Sequence, residues 1–244
     1  MSQQPFQFKK FKVHQDRCAM KIGTDGVLLG AWSSIEHEPK SILDIGAGTG
    51  VIALQLAQRS SASTIDAIEI DDQAHEQCTH NFEHSDWADR LFCYHASVQE
   101  FASEMEHKYD LIVSNPPFFK APKSIDPQTQ NTSQERAVAR FTDTLPFTHL
   151  VVCAAHLLSQ NGVFCTILPQ TEVASFIEIA AQNKLFISKI CTIRGTKTSK
   201  IKRCMLAFST RQSKPKTQEL TIEISRHNYT QEYKNLVSDF YVKM

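Results

Sequence analysis

The chain has 244 residues, 26 basic and 26 acidic side chains, and a formal net charge of zero. That length suits one α/β domain, and the ordinary composition excludes a disordered or collagen-like chain. No apolar run approaches the roughly 18 residues of a membrane helix, and the polar, basic start from Met1 to Lys12 has no signal-peptide core, so a cytoplasmic protein is expected.

Taken in chain order, Phe6-Gln7-Phe8 and Phe11-Lys12-Val13 read as two short strands of a hairpin around Lys9-Lys10. Ser41 to Ile45 is an apolar run that ends in glycines, the pattern of a buried strand, and Val51 to Arg59 follows with helical spacing. Thr64–Ile70 predicts a strand and Asp72–His84 a polar helix, then Leu91–His95 and Tyr109–Ser114 predict strands. Pro146–Leu158 is expected to be a helix, Gly162–Leu168 a strand and Glu172–Ala181 a helix. Phe186–Arg194, Lys202–Ser209 and Leu220–Ile224 close the chain as strands. Alternating strands and helices imply a mostly parallel sheet with helices on both faces, and the closing run of strands implies an antiparallel edge. Pro116 to Asp143 is the one long irregular stretch.

Charge is segregated. No acid lies between Ile179 and Gln218, a span that holds Lys197, Lys200, Lys202 and Arg203 among its basic residues. Lys9, Lys10 and Lys12 repeat the pattern near the start, while Asp66 to Asp110 is acidic. One positive face results, suited to phosphates, although solvated surface lysines give the same pattern. The seven cysteines (Cys18, Cys78, Cys93, Cys153, Cys165, Cys191, Cys204) form no C-x-x-C pair, which fits buried thiols in a reducing compartment better than a disulfide frame or zinc site.

Asp44-Ile45-Gly46-Ala47-Gly48-Thr49-Gly50 follows the first buried strand and opens a helix, where glycines let the backbone turn tightly and approach a ligand. Glu69 ends the next strand, placed for ribose hydroxyls. Gly48-Thr49-Gly50-Val51-Ile52-Ala53 also fits a dinucleotide pattern. Asp44 favours S-adenosylmethionine over NAD, since a carboxylate there attracts an ammonium and repels a pyrophosphate.

Ser114-Asn115-Pro116-Pro117-Phe118 ends the strand Tyr109–Ser114, on the same sheet edge. The amine of adenine is a poor nucleophile because its lone pair is conjugated. Acceptance of its two N–H groups by the Asn115 side chain and the Pro116 carbonyl favours an sp3 nitrogen. Pro117 stiffens the turn, and Phe118 offers a face on which an extruded base stacks. A plain proline turn ending a strand is the bland alternative.

With both motifs present, the chain resembles the tRNA1(Val) (adenine-37-N6)-methyltransferases, a branch of the class I Rossmann-like amino-methyltransferases. The resemblance also rests on Gln15 to Trp32, on Arg136-Ala137-Val138-Ala139-Arg140 and on the ending from Tyr229 to Met244. It implies a seven-stranded sheet, one domain over 1–244 with a hairpin extension over about 1–40, S-adenosylmethionine as donor and an adenine beside the anticodon of a tRNA as target. Carried over residue by residue, Asp44, Gly46 and Gly48 hold the methionine part and Glu69 the ribose. Asn115 to Phe118 hold the target amine, with Asn115 beside the cofactor, and Lys21, Thr24 and Asp25 line the cofactor pocket. Relatives often have an acid where this chain has Ser97, and Tyr where it has Phe118. The RNA is expected to lie across the Lys9–Lys12 hairpin and Lys197–Arg203.

Other substrates for the same chemistry remain open: a release-factor glutamine, a ribosomal RNA guanine or a DNA adenine. So does a non-catalytic RNA-binding protein on the same core. His80 and His84 have metal-ligand spacing on a polar helix with no third ligand apparent, and a solvated face is the expectation. Asp72 reads as a helix cap, and Trp32 and Trp87 as packing residues. Arg136 and Arg140 suit either a phosphate contact or ordinary solvation.

Overall fold

A computed structural model describes residues 4–117 and 145–243. Strands β1 (Phe6–Gln7) and β2 (Lys12–Val13) form the expected antiparallel hairpin. Then follow α1 (Thr24–Trp32), β3 (Ser41–Ile45), α2 (Val51–Arg59), β4 (Thr64–Glu69), α3 (Asp72–Glu83), β5 (Leu91–His95), α4 (Val98–Glu104) and β6 (Tyr109–Ser114). Beyond residue 144 come α5 (Phe147–Leu157), β7 (Leu158–Pro169), a 3-10 turn (Gln170–Glu172), α6 (Val173–Gln182), β8 (Phe186–Thr196), β9 (Ile201–Ser209), β10 (Lys216–Ser225), β11 (Asn228–Tyr229) and α7 (Gln231–Val237).

The main sheet has the order β11-β10-β8-β9-β7-β6-β3-β4-β5. β3, β4, β5, β6 and β7 pair in parallel, and β3 is buried at all five positions, as a strand covered on both faces must be. The sheet runs two strands beyond the seven expected, because β10 adds in parallel to β8 and the two-residue β11 pairs antiparallel at the edge. β9 runs antiparallel to both β7 and β8, so antiparallel pairing also occurs inside the sheet.

Strand alternation splits the core in two. Ile42 packs with residues of α1, α2, α3 and the N-terminal hairpin, while Leu43 and Ile45 pack with α4, α5 and α6. Phe164, Phe176 and Phe208 fill the second layer, with ring centroids 5.7 to 6.3 Å apart. The hairpin is fastened to the C-terminal segment: the Lys9 N–H donates to the Phe240 carbonyl across 2.8 Å, and Phe8 stacks on Phe11 and Tyr241 at 4.6 and 5.8 Å. Trp32 and Trp87 are packing residues, Trp32 beneath the Lys189 ammonium at 4.6 Å and Trp87 edge-on to Phe11 at 6.0 Å.

Helix α1 falls where the sequence suggested only an extension of the core. Every residue from Gly26 to Trp32 is buried, so the segment has no polar face and no amphipathic period to reveal it. A Cβ at Gly30 would collide with the Gln55 side chain of α2, so glycine there permits the close approach of the two helices. The cap of α3 is Asp71, whose side chain accepts the Ala74 N–H across 2.8 Å, and Asp72 is the first helical residue. The expectation for Asp72 is corrected by one position, because the extended backbone that caps require occurs at Asp71.

Candidate active site

The parallel register builds one functional edge. Ile45 of β3 lies opposite Ile68 of β4 and Ser114 of β6, and Glu69 lies opposite His95. The residues just beyond these positions therefore line up along the carboxyl end of the sheet: Ser97, Glu69, the glycine loop and Asn115, in strand steps of about 4.8 Å. Ligands of open α/β sheets bind at this end. The Ser114 hydroxyl donates to the Ile45 carbonyl across 2.9 Å and fixes Asn115 beside Gly46.

Gly46, Gly48 and Gly50 have φ of 73°, 56° and 76°. These are left-handed conformations that L side chains rarely adopt. A Cβ at Gly46 or Gly48 would meet nothing within 4 Å, whereas one at Gly50 would strike Phe82 and Cys78 at 2.6 and 2.9 Å. The first two glycines thus border open space and the third is packed on α3. The loop is held from below: Gly46 and Ala47 donate to the Ile68 carbonyl at 2.9 and 3.1 Å, and Gly48 donates to Glu69 Oε2 at 2.8 Å. Glu69 Oε1 accepts from Ile70 and Asp71 at 2.9 and 3.0 Å, so three backbone N–H groups orient this carboxylate.

Asp44 lies fully buried under the loop. Its Oδ2 accepts the Ala53 N–H in the first turn of α2 across 3.2 Å, while Oδ1 has no partner. Burial raises its pKa to about 7, with Glu69 adding repulsion against the Ala53 hydrogen bond. A half-satisfied carboxylate beneath an open glycine cradle suits the cationic methionine part of S-adenosylmethionine. The residues present therefore fit that donor.

Asn115 also carries a buried oxygen, Oδ1, without a partner. An amide oxygen left so at a ligand-binding edge is an acceptor in want of a donor. Pro116 follows buried and Pro117 half-buried. Phe118, Arg136 and Arg140 lie outside the described residues.

Thr24 and Asp25 open α1 near this edge, where a Cβ on the next residue, Gly26, would stand 4.0 Å from the Asn115 amide nitrogen. Lys21 precedes them, exposed. Asp25 accepts from Arg203 Nε across 2.7 Å, which joins a residue read as cofactor-lining to one read as RNA-binding. The Arg203 charge is thereby compensated, and the surplus on this part of the surface belongs to exposed Lys197, Lys200 and Lys202. The turn between β8 and β9 lies at the carboxyl edge too, since Arg203 pairs with Pro169 at the end of β7. Lys9, Lys10 and Lys12 are exposed on the N-terminal hairpin.

Ser97 caps α4. Its hydroxyl donates to Glu100 Oε2 at 2.7 Å and accepts the Glu100 N–H at 3.2 Å, while Glu100 Oε2 accepts the Ser97 N–H at 3.0 Å. The spacing Ser97-x-x-Glu100 is a capping box and signals both α4 and a second acceptor at this point. Hydrogen bonds from the Ser97 side chain and backbone hold the Glu100 carboxyl below its ordinary pKa. Ile70 directly follows Glu69 and is 57 % exposed, an apolar side chain left bare at the ligand edge.

The Methyltransferase small domain family matches residues 23–144. A tRNA1(Val) (adenine(37)-N6)-methyltransferase of Christiangramia forsetii is 56 % identical, with all of both chains covered. One of Yersinia enterocolitica with the same name is 40 % identical over 97 % of this chain and 92 % of its own. The chain belongs to this family. Among solved structures, a predicted O-methyltransferase of Agrobacterium tumefaciens superposes with a TM-score of 0.68 at 17 % identity, covering 88 % of this chain and 96 % of that one. It shows the shared fold. None of the described helices is long and apolar enough to cross a membrane.

Proposed function

We propose that this chain transfers a methyl group from S-adenosylmethionine to the N6 amine of adenine 37 in tRNA1(Val). The observation that carries the reading is the unpartnered, buried Asn115 Oδ1 set beside the glycine loop by the β3–β6 register, in a chain 56 % identical to a relative of that name. The donor supplies an electrophilic methyl on a sulfonium.

The chain's own residues do the rest by positioning. Gly46 and Gly48 let the backbone close on the ligand, Asp44 places negative charge beneath it, and Glu69 offers its remaining lone pairs to the ribose. Lys21, Thr24 and Asp25 border the pocket from the α1 side, and Ser97 with Glu100 closes it beyond β5. Asn115 Oδ1 and the Pro116 carbonyl accept the two amine hydrogens, which frees the nitrogen lone pair. No general base is required before transfer, because the methylated cation loses its proton readily.

The RNA lies across Lys9, Lys10 and Lys12 and across Lys197, Lys200, Lys202 and Arg203, with its base extruded toward Asn115. The protein acts as a single methyltransferase domain in the cytoplasm. An unmodified tRNA1(Val) transcript tests the reading against one in which base 37 is guanine. Methyl transfer to the first alone is the expected outcome, and equal transfer to both would reject adenine 37 as the target.

A further inference from the structure

The residues between the β1–β2 hairpin and α3 form a concavity of about 410 Å³, lined by Gln7, Lys9, Lys10, Phe11, Lys12, His14, Asn81 and His84. No acid is among them. His80 makes ring contact with two of these lining residues, 5.0 Å from His14 and 4.1 Å from His84, so three imidazoles cluster there, two of them at the wall. The site is rigid: Asn81, 2 % exposed, accepts the His14 N–H at 2.8 Å and donates to the His14 carbonyl at 2.9 Å. The hairpin is pinned on its other side, where the Lys9 ammonium donates to the Ser238 carbonyl at 2.6 Å. Lys10 and Lys12 remain exposed. The described residues include no group of three His, Cys, Asp or Glu arranged to hold a metal ion.

We propose that this concavity is a phosphodiester-binding subsite for the RNA, formed by Lys10, Lys12, His14 and His84 with His80 between the imidazoles. The inference rests on the RNA reading above and names a backbone contact that the lysine pattern alone did not define. Its chemistry follows from charge. Burial first, then His84, His14 and Arg17, lower the His80 pKa, while Glu83 opposes them. Arg17 is itself paired with Glu76 at 2.7 Å. His80 therefore resists protonation until an anion enters. A phosphate bound beside His80 favours its protonated form, so binding takes up a proton and RNA affinity grows as pH falls from 7.5 to about 6.

The test is fluorescence anisotropy of an unmodified tRNA1(Val) transcript with the full chain at pH 6.0 and 7.5 and constant ionic strength. The parent is expected to bind about three- to tenfold more tightly at the lower pH, up to tenfold per pH unit for each proton taken up. His80→Gln should flatten that dependence, and Lys10→Gln with Lys12→Gln should weaken binding at both pH values and lower the salt slope by about one to two. Unchanged thermal melting shows that the variants keep the fold. Parental affinity and pH slope in both the His80 variant and the lysine double variant would overturn the subsite while leaving the RNA reading intact. Failure of the parent to bind tRNA would reject the reading itself. Histidine NMR resonances that respond to inorganic phosphate but not to RNA would overturn assignment to the RNA backbone.

Discussion

The Asn81 side chain donates to the Thr49 carbonyl across 2.9 Å, tying α3 to the glycine loop. The same amide grips both backbone groups of His14, and the neighbouring Gln77 accepts the Arg17 N–H at 3.1 Å. Two buried amides one helical turn apart thus hold the N-terminal segment and the cofactor loop in one frame. Asn81→Asp keeps the acceptor and loses both donated bonds. It should lower unfolding free energy by roughly 1–3 kcal/mol and weaken S-adenosylhomocysteine binding severalfold. Thermal melting and calorimetric titration read both, and parental affinity would show that the loop holds its shape without Asn81.

Asp44 predicts a pH dependence. Its folded pKa, about 7, lies above its ordinary value, so the folded state holds the proton more tightly than the unfolded one. Stability from this group is therefore present at low pH and lost as pH rises from about 4 through 7. The ammonium of the bound ligand reverses the preference by favouring the carboxylate. S-adenosylhomocysteine affinity should rise about tenfold between pH 6 and pH 8, and Asp44→Asn should remove most of that rise. A parental pH slope in the variant would assign the titration to another group.

Asn115→Ala should separate binding from chemistry. The side chain is assigned chiefly to the target amine, so kcat should fall about 100-fold or more while S-adenosylhomocysteine affinity stays nearly unchanged. Single-turnover rates and equilibrium binding on one preparation make the comparison. A large loss of cofactor affinity would move Asn115 from the amine to the cofactor.

Tyr109 is a contrasting, structural case. Its hydroxyl donates to Asp66 Oδ2 across 2.5 Å, and burial of the pair raises both pKa values. Tyr109→Phe leaves Asp66 without that donor and should cost roughly 1–3 kcal/mol in denaturant unfolding. Methyl-transfer rates at a temperature where the variant remains folded should be unaltered.

The strands that carry the site were legible because each is a short apolar run closed by a motif: Ser41–Ile45 by glycines and Tyr109–Ser114 by Asn115-Pro116-Pro117. Helix α1 was not legible, since burial on every side erases the polar period. Helices α4 and α7, from Val98 and Gln231, are short, and their signal lies in the caps Ser97 and Thr230 rather than in periodicity. Ser97 stands at the ligand edge and caps α4 at the same time, with Glu100 as its capping partner. The basic residues were legible as a charge pattern only. Pairing across the chain, such as Arg203 with Asp25 or His14 with Asn81, joins residues 178 and 67 positions apart, beyond the reach of local pattern.

The most direct measurement of the central claim incubates the purified protein with radiolabelled S-adenosylmethionine and a mixture of unmodified total RNA, DNA and cell protein, followed by nucleoside analysis of the labelled fraction. The account predicts N6-methyladenosine confined to tRNA. Label in ribosomal RNA, DNA or protein, with none in tRNA, would contradict it.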